Sequence, residues 1–483
     1  MIDAQASDAY RVAMPGDLPS TGSAAPVAPS AGGTLPRVLG PFDAVTVVVG
    51  GIIGSGIFLK PGVVAQYLDH FGLGLIIGVW VVVGLITLCG ALTLAELAAM
   101  LPHAGGPYVY LREAYGRLPA FLWGWTEMTI IRPGSLGALT AATVIYLSKI
   151  VYLDRHWQEG VALGIVLFLS VVNVVGARWG AALQNVTVVA KLGFLAFIIV
   201  LPLAVSRVPQ PPAEWWPGRW TPDLWKALGL AMIAVMWPYD GWINIAPVAE
   251  EVREPQRNVP LGLALGMVIV IVVYVLANVA YHVVLPISTV ASSEAVAHDM
   301  CTALLGEGAG KLVSLGVLCS TFGAANSNLL TGPRIYFAMA RDGLLPASIR
   351  RIHGRWRTPA NAIWLQAVWT VVLIVAAYAW KSDPRDAFDM LTDFVIFGGS
   401  LFYALAVASV FVFRRAHPDW SRPYRTLGYP LTPCVYLLGI GAALASMVWD
   451  TDKHAQTLAG TALIASGVVF YYWARSRRAW QVR

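Results

Sequence analysis

The sequence predicts an all-α, polytopic membrane protein whose first ten spans form two inverted five-helix repeats. Three observations carry this. Hydrophobic residues make up 57% of the 483-residue chain and charged residues only 12%. The apolar residues fall in blocks of about twenty, the length a helix needs to cross a bilayer. Two of those blocks, the first and the sixth, are interrupted in their middles by glycine, proline or aspartate. A β-barrel would show short alternating segments instead.

Residues 1–39 are rich in Ala, Pro, Ser and Gly. They contain no apolar core of the kind a cleaved signal peptide needs, and their composition predicts a disordered tail. Spans are then expected at 41–67, 72–101, 117–152, 161–175, 181–205, 225–251, 261–285, 312–341, 360–380, 387–413, 431–449 and 458–473. The break between the fourth and fifth, at "VGARWG", has the weakest signal. This gives a tail (1–39), a first repeat (40–205), a second repeat (225–413), and two further helices with a C-terminal tail (414–483).

The net charge of +6 is a topological signal and does not point to nucleic acid. With the N-terminus inside, cytoplasmic segments hold about twenty Lys and Arg and outer loops about ten, as the positive-inside rule requires. "RRIHGRWR" (350–357), "RRAHPDWSRPYR" (414–425) and "ARSRR" (474–478) contribute most. Both termini are therefore expected in the cytoplasm of a multi-pass cell-membrane protein. Cys89, Cys301, Cys319 and Cys434 show no metal or redox spacing, and no histidine pair is spaced to hold a metal. No cofactor is expected.

The first span reads "VVVGGIIGSGIFLKPG" (47–62) and the sixth "LAMIAVMWPYDGWINIAPVAEEV" (230–252). Each glycine in a helix costs roughly 1 kcal/mol against alanine, and Pro238 removes a backbone donor. One explanation is close helix packing through small residues. The other is a pair of discontinuous helices in corresponding places of two repeats, which marks a transporter binding site. Five spans are an odd number, so the second repeat must be inverted. Unpaired backbone groups at mid-membrane are tolerated only where they line a cavity. The freed N–H groups suit a carboxylate, and the freed carbonyls suit an ammonium. Together they recognise the two ends of a zwitterion.

Other stretches carry a resemblance. "GGIIGSGIFLKPG", "LAELAAMLPHAGGPYVYLREAYG" (94–116), "YDGWINIAPVAEEVREPQRNVP" (239–260), "WTEMTIIRPGS" (125–135) and "STFGAANSNLLTGPRIYFAMARDGLLP" (320–346) resemble the amino acid–polyamine–organocation (APC) superfamily. The last two point to its L-type amino acid transporter branch. The resemblance runs from about residue 41 to the twelfth span. It implies the leucine-transporter fold: a 5+5 inverted repeat with broken helices 1 and 6, plus two more helices. It also implies alternating access without covalent chemistry.

Carried over, the substrate carboxylate would meet backbone N–H groups of Ile53, Gly54, Ser55 and Gly56 and the Ser55 hydroxyl. The amine would meet carbonyls of Ile52, Trp237 and Asp240. Trp237 stands where the branch has an aromatic gate, or it simply packs. The specificity pocket would draw on Ser135, Leu139, Ile243, Asn326, Val395, Phe397 and Ser400. These residues are mostly apolar, which favours neutral amino acids.

Lys191 is the only lysine deep in a predicted span, and a buried ammonium must find partners. In the resembling transporters a lysine here ties the first helix to the eighth, where sodium-coupled relatives hold an ion. The Gly54 region and Ser320 or Thr321 are the expected partners. Sodium independence follows; the alternative is a lysine that snorkels to the interface.

Asp240 suits an N-cap for "GWINI", an amine contact or a proton site. Glu96, Glu127 and Arg132 are expected to pair structurally or lie at the interface, and Arg334 to pair or snorkel. The outer loop "YLDRHWQEG" lacks the cysteine by which animal members of the branch join a partner glycoprotein, so no disulfide-linked partner is expected. The remaining readings are a carrier of polyamines or cationic amino acids that uses Asp240, and a non-transporting amino acid sensor. A membrane enzyme is disfavoured: no zinc-protease motif, paired catalytic histidines or nucleophile elbow is present.

Overall fold

The computed structural model describes residues 35–148, 150–205, 215–293, 295–380, 384–449 and 454–476. Their regular elements are helices, with one isolated parallel bridge between Leu39 and Val252.

The first apolar block is two helices, α1 (Pro41–Ile52) and α2 (Gly56–Leu68), bent by 41° at residues 53–55. α3 (Leu73–Met100) is followed by a short helix α4 (Pro107–Tyr115). α5 (Arg117–Thr126), a π-helical turn (Glu127–Ile131) and α6 (Arg132–Ser148) run on as one continuous helix. α7 (Arg155–Val175) and α8 (Ala177–Ala204) meet at Gly176, which is where the "VGARWG" break was expected.

α9 (Pro222–Tyr239) ends at Asp240 and Gly241, and the sixth block continues as a 3-10 helix, Trp242–Glu251. α10 (Pro255–Val284), two short helices α11 (Ile287–Ser292) and α12 (Val296–Leu305), and the pair α13 (Glu307–Thr331) and α14 (Pro333–Arg341) follow. α15 (Ala360–Trp380), α16 (Pro384–Ala416), α17 (Leu431–Trp449) and α18 (His454–Ser476) complete the described chain.

Among the described residues, seven helices are long and apolar enough to cross a membrane, or eight if α1 and α2 count as one span. Their outward faces explain the composition. Val186, Val189, Phe197 and Val200 on α8, and Leu265, Val268 and Val272 on α10, are exposed. Such belts are stable against hydrocarbon rather than water.

The two interrupted blocks run side by side and antiparallel. α1 packs against the 3-10 segment, and α2 packs against α9. Gly241 adopts a left-handed φ of 99°, which only glycine takes without cost. A Cβ there would also lie 2.5 Å from the Gly51 carbonyl oxygen. The tight crossing thus needs glycine twice over.

Both explanations of the glycine-rich stretch hold, at different residues. Gly50 is a packing glycine, since a Cβ would strike the Gln184 side chain of α8 at 1.7 Å. Gly54 and Gly56 sit at the break itself.

Residues 1–34 of the expected tail lie outside the described residues. Its last five are described, and all but Arg37 are at least partly buried. Leu35 and Leu39 are buried. Leu39 donates its N–H to Glu251 O at 3.0 Å and accepts from Arg253 N at 2.8 Å.

Candidate functional site

The two breaks open onto one cavity of about 510 Å³, its mouth included. One wall is the break in the first block: Gly51, Ile52, Gly54, Ser55 and Gly56. Facing it are Trp237, Asp240, Gly241 and Asn244. α6 contributes Arg132, Ser135 and Leu139.

The backbone polarity of the site follows from how the helices end. α2 begins at Gly56; Ser55 O takes the N–H groups of Phe58 and Leu59, both at 3.1 Å, so the N–H groups of Gly56 and Ile57 form its open start. Ser55 Oγ is buried beside them with no hydrogen-bond partner. Carbonyls gather at the opposite edge. Tyr274 Oη of α10 lies 3.2 Å from Ile52 O and 3.0 Å from Pro238 O, and its single proton serves one of them at a time. The start of α2 and the carbonyl ends of α1 and α9 thus lie close together at the two breaks, with the two carbonyls turned to Tyr274.

Ile53 differs from expectation. Its N–H is taken by Val49 O at 2.9 Å, as the last turn of α1 requires. Its carbonyl points away from the cavity, to Lys191.

Lys191 Nζ donates to Ile53 O at 2.5 Å, to Gly50 O at 3.2 Å and to Ser320 O at 3.2 Å. It is wholly buried and does not snorkel. Its partners lie in the first interrupted block and in α13. Ser320 strengthens the junction by donating Oγ to Gly54 O at 3.0 Å. Thr321 is no partner of the lysine: its hydroxyl lies 2.7 Å from Thr143 Oγ1 and donates back to its own helix.

Asp240 lines the cavity, and its carboxylate accepts the Tyr403 hydroxyl at 3.0 Å. It is not the N-cap of the 3-10 segment, because Gly241 holds that position and no side chain caps it.

Of the other expected pocket residues, Ser135, Leu139 and Trp237 line the cavity, whereas Ile243, Asn326, Val395, Phe397 and Ser400 are not among its lining. Asn326 faces α7 and α8. It accepts from Asn173 Nδ2 at 2.9 Å and donates to Gly180 O at 2.9 Å and Gln184 Oε1 at 3.1 Å. Ser400 lies in a neighbouring cavity.

Asn244, Asn328 and Tyr403 line the cavity without standing out in the sequence, and Arg132, expected to pair or to lie at the interface, lines it too. It is buried and paired rather than interfacial. Its Nε bonds Glu127 Oε2 at 2.5 Å and its Nη1 bonds Thr331 Oγ1 at 2.9 Å, while the side chain borders the cavity. In an α-helix, residues five apart do not share a face. The π-turn at 127–131 winds more residues into each turn and brings Glu127 over Arg132.

The other expected charges are paired at one end of the bundle. Glu96 holds Arg414 at 2.6 and 2.9 Å and the Thr426 N–H at 2.7 Å. Glu251 holds the fully buried Arg334 at 2.7 and 3.2 Å.

The comparisons with known proteins agree with this architecture. Residues 39–473 match the amino acid permease family model. The chain is 32% identical to the serine/threonine exchanger SteT of Bacillus subtilis, over 92% of this chain and 98% of that protein. It is 31% identical to the human large neutral amino acids transporter small subunit 2, over 93% of this chain and 83% of that protein. It is 30% identical to the mouse b(0,+)-type amino acid transporter 1, over 91% and 88%. The chain thus belongs to the amino acid permeases of the APC superfamily, and is a multi-pass membrane transporter of amino acids rather than an enzyme.

Proposed function

We propose that this permease carries neutral amino acids across the cell membrane by alternating access, without sodium, by exchange or proton symport. The observation that supports this best is the pairing at the breaks. The unpartnered Ser55 hydroxyl and the start of α2 line a cavity of amino-acid scale whose opposite wall holds Trp237 and Asp240, at the end of the other half-helix. The carboxylate docks at Gly54, Ser55 and Gly56, and the ammonium at the carbonyls of Ile52, Trp237 and Asp240.

Lys191 supports sodium independence. Three backbone carbonyls that would otherwise suit an inorganic cation are already turned toward a protein ammonium. The proposed fold is the leucine-transporter fold with twelve spans. The seven long helices, the two interrupted blocks and the apolar stretches of α15, α17 and α18 supply that number. Both termini are placed in the cytoplasm, and the chain works without a disulfide-linked partner.

A second reading, a carrier of cationic substrates, draws on Asp240 as the cavity's carboxylate. Arg132 borders the same space and opposes an additional ammonium.

Uptake of a panel of radiolabelled amino acids into proteoliposomes tests both readings. Uptake that needs internal amino acid identifies exchange. Uptake into empty vesicles that rises with an inward proton gradient identifies symport. A sodium requirement removes the Lys191 reading, and preference for lysine or arginine over serine and leucine selects the second reading. Binding without uptake identifies a sensor.

A further inference from the structure

Behind the candidate substrate cavity lies a second one of about 520 Å³, mouth included, walled by α3, α9, α16 and α17. Met232, Met236, Ile396 and Ile440 make its lining largely apolar. Asp240 and Tyr403 line both cavities, and the Tyr403 hydroxyl is bonded to the Asp240 carboxylate. These two side chains therefore stand between the cavities. Tyr403 is held in place by rings on both sides, with centroids 5.6 Å from Trp123 and 5.8 Å from Trp242, both edge-on. Such packing fixes an aromatic side chain without a mobile loop.

We propose that Asp240 and Tyr403 form a partition that sets substrate size, and that the space behind is an annex fitted to a large apolar amino acid side chain. The inference rests on the amino acid reading of the first cavity. With the partition in place, a side chain that leaves the breaks meets the Tyr403 ring, so small side chains fit and large ones do not. With the ring removed, the two spaces join. An apolar side chain that enters leaves water for methionine and isoleucine surfaces, a favourable transfer. Ile396, Ser400 and Tyr403 follow one face of α16 by helical spacing, so the annex reaches the partition along a continuous stripe.

The test is the ratio of KM values for phenylalanine and serine in proteoliposomes, with wild type measured first. Wild type should favour serine. Tyr403→Ala should lower the phenylalanine-to-serine KM ratio by at least about tenfold, the discrimination expected of one apolar pocket. Tyr403→Phe, which keeps the bulk, should leave the ratio near wild type. Ala443→Phe, which fills the annex, should reverse the gain in the Tyr403→Ala background. If Tyr403→Ala does not yield folded protein, Tyr403→Val carries the same expectation.

Serine uptake with an unchanged ratio in the alanine or valine variant overturns the partition. So does a wild type that already handles phenylalanine as well as serine. A wild type that takes up and binds none of the panel overturns the amino acid reading itself, so the two failures are distinguishable.

Discussion

The Lys191 ammonium lies 2.5 Å from the Ile53 carbonyl, at the point where the first interrupted helix gives way. One side chain on α8 thus holds the last turn of α1 and, through Ser320 O, α13 as well. Lys191→Ala would leave three buried carbonyls without that donor, each a cost of about 1–3 kcal/mol if unmet. We expect membrane insertion to persist and transport to fall at least tenfold, roughly the effect of 1.4 kcal/mol. Full transport in reconstituted vesicles would show that the junction is dispensable.

Gly56 faces Pro238 across the crossing of α2 and α9. An added Cβ would lie 2.6 Å from the Pro238 Cα, a backbone atom that cannot rotate away. Gly56→Leu should therefore push the two interrupted helices apart and weaken substrate binding by at least about tenfold, the scale of an overpacked core. Equilibrium binding of the best panel substrate measures it, and unchanged affinity would remove this break from the substrate site.

Glu127 and Arg132 are both buried. Removing one member of such a pair leaves an uncompensated charge and costs roughly 3–5 kcal/mol. Glu127→Gln should lower the melting temperature in detergent, and Glu127→Gln combined with Arg132→Gln should recover part of the loss. If the double variant melts below the single one, the pairing is not what stabilises this turn.

Glu250 gathers three separate pieces of chain. It accepts the N–H groups of Leu35 and Ala104, both at 3.0 Å, and two contacts from Arg341 at 3.0 and 3.3 Å. In a background without the four native cysteines, Glu250→Gln should raise the labelling rate of Leu35→Cys by an impermeant thiol reagent on inside-out vesicles. An unchanged rate would mean that Glu250 does not hold this stretch of chain in place.

The parts that could be read from sequence were those where a residue type is out of place. Glycine, proline and aspartate in apolar blocks located both breaks, and a lysine in hydrocarbon forecast that it needs partners; the family resemblance, not the lysine, pointed to the Gly54 region and Ser320. What escaped was the rotational phase of ordinary helices. Asn326 and Thr321 are polar residues in the right helix, but they turn toward α7, α8 and Thr143. Tyr403 read as one more aromatic in an apolar run. The π-turn was invisible because one extra residue per turn changes no local composition, yet it alone brings Glu127 to Arg132. The 3-10 winding after Gly241 was likewise hidden in a stretch that reads as ordinary helix.

That winding has a mechanical consequence. A 3-10 helix rises about 2.0 Å per residue and an α-helix about 1.5 Å. Over the ten residues from Trp242 to Glu251, the difference is roughly 5 Å of length. That extra length carries Glu250 and Glu251 out to the end of the segment, where one reaches Leu35, Ala104 and Arg341 and the other Arg334. Pro247 within it lacks the N–H that an α-helical bond would need. The pitch of a single short segment thus sets how far both carboxylates reach.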